Sequence, residues 1–416
     1  MSLLRPYIAV AFLAASVACS NPTSSGGKPA EITVLPRQLS PSEQAIATAT
    51  SGFAFSLLQE VNRNAADSNV FISPLSASMA LGMALNGAAT ETHDEMRTAL
   101  GIGGRPLAEL NGGYKALIEL LRGLDKTVDF RIANAVWYRD IFAPSIAPSF
   151  LADAKEFFDA KVTGLNFESP QAVTTVNDWV NTGTNGKIAK ILDDIPSNVV
   201  MYLMNAIYFK GAWRQPFDPK QTADASFTDH RGNRIDVKMM TRKGGFRLRS
   251  GADGTVVELP YGGDAFVMTI LLPPEGTDIN AFVSTLTPGR WQAATSGLAE
   301  SSFDLYVPKF KLTWSDGLND ELKSMGMRRA FVPDGADFTR LSPTMGRNLY
   351  ITDVRQKTFV DVNEEGTEAA AVTSVGVGVT SLPPSVRLDR PFVFAIRERL
   401  SGVILFVGKI VRPKTA

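Results

Sequence analysis

EEGTEAAAVTSVGVGVTSLPP, residues 364–384, alternates between two kinds of side chain. From Thr367 to Val379, every second residue is small or β-branched, and the residues between them include a charge, hydroxyl groups and glycines. A period of two is typical of a strand with one buried face. Three consecutive alanines and two glycines lower the strand propensity, so this strand needs a partner on each side. The pattern fits a chain that is a loop in one state and a central strand in another, and it also fits a permanent, poorly packed strand that ends in a turn at Pro383-Pro384.

The rest of the chain, residues 42–416, contains no second linker and no internal repeat, which predicts one large domain. Its first third has mainly helical patterns; one helix is opened by Ser73-Pro74 and stopped by Gly87. Its later part is rich in β-branched and aromatic residues. Strands are predicted at residues 201–209, 256–259, 266–272, 303–307, 350–362, 392–396 and 403–407. Helices first and strands later, without regular alternation, predict an α+β fold with mostly antiparallel sheets.

The N-terminus differs from the rest of the chain. Arg5 is the only charge before Cys19, and a short apolar run from Tyr7 to Ala15 follows it. This run is too short to cross a bilayer and is typical of the core of a signal peptide. We therefore predict a signal peptide over residues 1–18.

Cys19, the only cysteine, follows a run of small residues. This arrangement resembles the lipobox of bacterial lipoproteins, although Ser16 stands where that motif usually has leucine. The resemblance implies that Cys19 is acylated and attaches the protein to a membrane, with the Ser-, Pro- and Gly-rich residues 19–41 as a flexible tether. The expected location is the cell envelope or the extracellular space. A plain secretory signal with nearby cleavage is the alternative.

Composition and motifs argue against several functions. The 42 basic residues balance the 42 acidic ones, so no excess of positive charge indicates nucleic-acid binding. Only two histidines, His93 and His230, are present, and both are expected on the surface. The sequence has no GxSxG or HExxH motif. We predict a protein that is not an enzyme and that needs no cofactor or metal, and a hydrolase that uses only carboxylates is the alternative left open.

The alternating segment resembles the reactive loop of serpins. Residues 364–371, EEGTEAAA, are similar to the hinge of that family almost residue for residue. Residues 69–76 (NVFISPLS), 205–213 (NAIYFKGAW) and 389–394 (DRPFVF) are similar to serpin motifs in the same order along the chain. On these motifs the sequence is identified as a member of the serpin family over residues 42–416. The resemblance implies the serpin fold, in which helices surround large, mostly antiparallel sheets and the reactive loop is exposed.

The resemblance also implies a mechanism, suicide inhibition of a serine protease. The protease forms an acyl-enzyme with the loop, and the cleaved loop then inserts into the central sheet and traps the protease. Insertion begins at the hinge, where the side chain of Thr367 is small enough to enter between strands. The hinge consists of Glu364, Glu365, Gly366, Thr367, Glu368, Ala369, Ala370 and Ala371.

Counting along the ungapped match from Gly366 to Pro391 places the scissile bond at Thr380-Ser381. Val379 is the fallback if the target protease binds the loop one residue earlier and cleaves after Val379. Both candidates are small and β-branched, which favours an elastase-like or subtilisin-like protease over a trypsin-like one. The expected partner is therefore one such protease, bound covalently by a monomeric inhibitor. A non-inhibitory serpin that acts as a binding protein is the alternative, although such members usually carry bulky or charged hinge residues.

Two supporting sites are implied by the family resemblance. The first is a polar cluster that controls opening of the sheet, matched here by Ser73, Ser76, Asn205 and Gln356. Gln356 stands where many serpins have histidine, so pH-dependent control through this position is not expected. The second site surrounds the point where the loop enters the sheet and is matched by Trp213, Lys309 and Glu364. We predict a salt bridge between Lys309 and Glu364.

Overall fold

The computed structural model describes residues 29–367 and 384–414. Several sequence predictions fall outside these ranges. They concern the signal peptide at 1–18, acylation of Cys19, the hinge residues Glu368 to Ala371 and the bond Thr380-Ser381 with its fallback Val379. These remain predictions.

Nine α-helices form within the described ranges. They are α1 (Pro41–Asn64), α2 (Pro74–Gly87), α3 (Thr90–Ala99), α4 (Leu107–Leu124), α5 (Pro148–Phe158), α6 (Pro170–Gly183), α7 (Ile279–Ser284), α8 (Pro288–Thr295) and α9 (Asn319–Ser324). None of these helices is both long and apolar enough to cross a membrane.

The described residues also form fifteen strands. They are β1 (Val70–Ile72), β2 (Val128–Arg139), β3 (Ala160–Leu165), β4 (Met201–Ala212), β5 (Ala223–Thr228), β6 (Arg234–Gly251), β7 (Gly254–Pro260), β8 (Phe266–Leu272), β9 (Ala299–Pro308), β10 (Phe310–Gly317), β11 (Arg355–Val362), β12 (Gly366–Thr367), β13 (Ser385–Arg387), β14 (Phe392–Glu398) and β15 (Ile404–Ile410).

The strands build two sheets. The larger has the order β1-β15-β14-β8-β7-β6-β9-β13, with β5 paired to β6, and the smaller has the order β10-β11-β12-β4-β2-β3. All strand pairs are antiparallel except β2 with β3 and β13 with β9. Every residue of β8, β14 and β15 is buried, so these strands form the centre of the core. The predicted α+β fold with mostly antiparallel sheets is confirmed.

Helix α2 joins the two sheets, because it packs against β4 of the smaller sheet and β15 of the larger one. All but one of its residues are buried, which agrees with an apolar sequence that has no charged face. Ser73 caps its N-terminus by accepting a hydrogen bond from the N–H of Ser76, and Pro74 occupies the first helical position. This cap holds two serines beneath the smaller sheet.

Residues 29–40 are irregular but bonded to the domain. The N–H of Ile32 donates to the carbonyl of Gly263 at 2.7 Å, and the guanidinium of Arg214 donates to the carbonyl of Pro29 at 2.7 Å. This part of the predicted tether is therefore held against the domain. Flexibility of the preceding residues, from Cys19 on, stays a prediction.

The two histidines are more buried than the sequence predicts. The side chains of His93 and His230 are only 12% and 10% exposed. Each ring lies 3.1 Å from a carboxylate oxygen, His93 from Asp94 and His230 from Asp67. The expectation of exposed side chains is wrong, because the ring nitrogen that does not face the aspartate, Nε2 of His93 and Nδ1 of His230, is buried.

Candidate functional site

Strand β12 lies inside the smaller sheet, between β11 and β4, although it has only two residues. Gly366 pairs with Ala212 and Thr367 with Gly211 on one side, and Thr367 pairs with Val362 on the other. Beyond Thr367, no described residue continues this strand, and no ladder pair between described residues joins β4 directly to β11. We call the space between these two strands the sheet gap.

Three cavities follow the sheet gap along the length of β4. One of about 20 Å³ borders Thr367, one of about 30 Å³ borders Asn205, and one of about 190 Å³ borders Met201 at the far end. Residues of both β4 and β11 line each of them. Unfilled space therefore borders both strands at three places along the gap.

The four residues of the predicted polar cluster meet in the middle of the gap. Gln356 accepts a hydrogen bond from the N–H of Ser73 at 2.8 Å and donates to its carbonyl at 2.7 Å. The Ser76 hydroxyl donates to the backbone carbonyl of Asn205 at 3.5 Å. The cluster thus ties β11 and β4 to the N-terminus of α2. The structure places the four predicted residues together, and their role in opening the sheet stays a prediction.

Glu364 forms the predicted salt bridge with Lys309, with Nζ and Oε2 2.8 Å apart. Its other carboxylate oxygen accepts a hydrogen bond from the hydroxyl of Thr222 at 2.7 Å. Burial by itself would raise the pKa of Glu364, but the hydrogen bonds from Lys309 and Thr222 outweigh burial and leave this pKa below its ordinary value. The carboxylate is therefore charged at neutral pH and fixes the start of the hinge.

Trp213 holds the hinge through both its backbone and its ring. Its N–H donates to the carbonyl of Glu365 at 2.8 Å, and its indole N–H donates to the carbonyl of Asn363 at 2.9 Å. The ring stacks on Tyr261, with centroids 4.5 Å apart. The chain that enters the sheet at Gly366 is thus held by Trp213 at two carbonyls, those of Asn363 and Glu365.

Only glycine fits at position 366. Its φ is +150°, and a Cβ built there would lie 2.1 Å from the carbonyl oxygen of Gly211. The next residue, Thr367, is only 4% exposed, and its hydroxyl lies 2.8 Å from the Tyr261 hydroxyl. The first inserted side chain therefore already has a hydrogen-bonding partner inside the protein.

Sequence reasoning missed three residues of this site. Thr222 binds Glu364, Tyr261 binds Thr367, and the side chain of Asn363 accepts from the N–H of Glu365 at 3.0 Å. Asn363 directly precedes the hinge, and its known tendency to bond the backbone two residues ahead could have indicated the turn. Nothing in the local sequence around Thr222 or Tyr261 links them to the hinge.

Removing the Lys309 ammonium tests the electrostatic part of the site. We expect Lys309→Met to lower the free energy of unfolding by about 1 kcal/mol at pH 7, because Glu364 loses its charged partner. A carboxylate with a depressed folded-state pKa stabilises the fold above its unfolded pKa, about 4.3, and this contribution is lost as the pH falls. The difference in stability between wild type and Lys309→Met should therefore become smaller as the pH falls from about 5 to about 3.

Thermal unfolding of both proteins over this pH range measures the effect. Lys323→Met is the matched control, since Lys323 pairs with Asp320 on the surface, where the carboxylate side chain is 83% exposed. A difference between wild type and Lys309→Met that stays constant down to pH 3 would contradict a charged Glu364 at the hinge.

Comparison with known proteins identifies the fold and the family. The family model described as Serpin (serine protease inhibitor) matches residues 48–413. The chain belongs to the serpin family. It is 32% identical to the protein Z-dependent protease inhibitor of Homo sapiens over 382 residues, 89% of this chain and 84% of that protein. It is also 32% identical to the corticosteroid-binding globulin of Pongo abelii over 378 residues, 89% of this chain and 91% of that protein.

The serpin fold is shown by solved structures as well. The native state of tengpin, a thermophilic serpin, superposes with a TM-score of 0.79 and 30% identity over 92% of this chain and 97% of that one. Many serpins are protease inhibitors, rather than enzymes, and others among the relatives are named for binding. The sheet gap and the hinge are therefore the parts of this serpin that bear on its function.

Proposed function

We propose that this serpin inhibits serine proteases as a suicide substrate, by inserting its cleaved loop into the sheet gap. The observation that supports this proposal is the position of Gly366 and Thr367. They already lie between β11 and β4 as the first two residues of a strand, and the sheet gap continues beyond them. A strand that begins in this way can be extended only by the residues that follow Thr367.

The length of the gap agrees with this role. Strand β4 continues from Gly211 to Met201, ten residues further. Ten residues of strand span about 33 Å. The segment after Thr367 is long enough to fill this distance before it reaches the proposed scissile bond at Thr380-Ser381. A protease attached to Thr380 would therefore be carried along the whole sheet.

The proposed target is a protease with a small or broad primary specificity pocket, of the elastase-like or subtilisin-like kind. Thr380, or Val379 in the alternative register, would occupy that pocket. A β-branched side chain of this size lacks the positive charge that trypsin-like pockets bind. The choice of target rests on the sequence of the loop alone.

A denaturing gel tests the proposal. We expect at least one elastase-like or subtilisin-like protease to form a complex with this serpin that survives boiling in detergent, because the trapped acyl-enzyme is covalent. The same protease with its active-site serine blocked is the control and should form no such complex. If every member of a broad panel cleaves or ignores the protein without covalent trapping, inhibition is wrong and a non-inhibitory binding function is favoured.

A further inference from the structure

Helix α6 ends in an exposed turn that contains Asn185 and Gly186. Both residues have a left-handed backbone, with φ of +51° and +80°, which asparagine and glycine adopt more readily than other residues at the end of a helix. The N–H of Gly186 donates to the carbonyl of Asn181 at 2.8 Å, and the N–H of Lys187 donates to that of Thr184 at 3.0 Å. The peptide bond between Asn185 and Gly186 is thus part of a tight turn that faces the solvent.

An asparagine that precedes a glycine can lose its side-chain amide without an enzyme. The backbone nitrogen of the glycine attacks Cγ of the asparagine, and the side-chain nitrogen leaves as ammonia together with the proton of the glycine N–H. Water then opens the resulting cyclic imide at either of its carbonyl groups. The product is aspartate or isoaspartate, in which the main chain runs through Cβ and Cγ. Glycine favours the attack because it has no Cβ beside the nitrogen and its backbone rotates easily.

The chain contains three Asn-Gly pairs, and the structure distinguishes one of them from the other two. Asn86 lies in α2 and Asn111 in α4, and these residues are only 7% and 4% exposed. Nδ2 of Asn86 donates to Oδ1 of Asn111 at 3.1 Å, and Nδ2 of Asn111 donates to Oδ1 of Asn86 at 2.7 Å. Helical backbone and this reciprocal pairing hold both amides away from the attacking nitrogen. Asn185, in an exposed turn, has neither restraint.

The turn at Asn185 lies against the sheet gap. Nδ2 of Asn185 donates to the hydroxyl oxygen of Tyr208, on β4, at 3.2 Å. Thr184 and Lys187, on either side of the Asn-Gly pair, line the cavity of about 20 Å³ that borders Thr367. A chemical change in this turn therefore acts where β12 ends.

We propose that Asn185 is a site of spontaneous deamidation, and that its conversion loosens the turn that borders the sheet gap. An aspartate at this position cannot donate to Tyr208, and its negative charge lies at the C-terminus of a helix, where the helix dipole disfavours it. Isoaspartate adds a carbon atom to the main chain ahead of Gly186. The bonds from Gly186 to Asn181 and from Lys187 to Thr184 then cannot both keep their geometry.

Peptide mapping by mass spectrometry tests the site with the folded, full-length protein after storage at mildly alkaline pH. We expect Asn185 to convert at least about tenfold faster than Asn86 and Asn111, because a turn at a helix end opens locally far more often than two packed helices. In protein unfolded in urea, the three Asn-Gly pairs should convert at similar rates. Conversion at Asn185 that is no faster than at the two buried pairs in the folded protein overturns the inference.

Hydrogen exchange tests the effect on the turn. The amides of residues 186–188 should exchange faster in stored wild type than in fresh wild type. Asn185→Gly is the matched control, because glycine tolerates a positive φ and has no side-chain amide to lose, so its exchange should not change on storage. Stored wild type that carries the modified residue but exchanges like fresh protein would show that deamidation does not loosen the turn. Neither measurement involves a protease, so both outcomes are independent of the proposed inhibition.

Discussion

Thr367→Arg is expected to convert the proposed inhibitor into a substrate that the target protease cleaves and releases. Thr367 is buried between two strands, and its hydroxyl lies against that of Tyr261. The guanidinium is expected to keep residue 367 out of the sheet gap in the uncleaved protein, so that insertion of the cleaved loop must force it between the strands at a cost of about 3 kcal/mol. Because about 1.4 kcal/mol corresponds to a factor of ten in rate, insertion should slow by about a hundredfold. Hydrolysis of the acyl-enzyme is then faster than loop insertion, and the protease is released.

The measurement is the fraction of protein that ends in the covalent complex rather than in the free, cleaved form. Thr313→Arg is the matched control, since it makes the same substitution at an exposed position of β10 in the same sheet. The control should trap the protease like wild type. Equal yields of complex from Thr367→Arg and wild type would show that insertion does not pass through Thr367.

Cleavage of the loop is expected to raise the melting temperature of the wild type by about 10–20 °C. A strand that fills the sheet gap would add about ten ladder hydrogen bonds of about 1 kcal/mol each. For a domain of this size, stabilisation by about 10 kcal/mol corresponds to a rise of that order. The new strand would also fill the cavity of about 190 Å³ at the far end of the gap.

Melting curves before and after limited cleavage within residues 368–383 give the result. Cleavage of a protein at a loop that does not insert leaves the melting temperature unchanged or lowers it, which is the outcome that contradicts the proposal. Thr367→Arg serves as the internal comparison, since its cleaved form should gain less stability than the cleaved wild type.

The hinge shows what could be predicted from sequence and what could not. The family motif supplied the salt bridge between Glu364 and Lys309, which the structure contains. The strand that the alternating pattern indicates after Thr367 lies outside the described residues and stays a prediction. Tyr261 was missed because it lies 106 residues from Thr367 in the chain and meets it only through the fold. Such partners leave no local pattern in the sequence.

The start of β11 illustrates the same limit. The run of β-branched and aromatic residues predicts a strand from Tyr350, whereas the strand begins at Arg355. Residues before it turn away to other partners: the N–H of Ile351 donates to the carbonyl of Ala330 at 2.7 Å. Residues 350–354 have the side chains of a strand, but hydrogen bonds to other parts of the fold determine that β11 begins only at Arg355.

Residues 29–40, which precede α1 and are hydrogen-bonded to the domain, have a mechanical consequence. A pull on the chain ahead of Pro29 would act first on the bonds from Arg214 to Pro29 and from Ile32 to Gly263. Arg214 directly follows Trp213, which holds the hinge at Glu365. Part of any tension applied ahead of Pro29 would therefore act on Arg214, the residue next to the one that holds the hinge at Glu365.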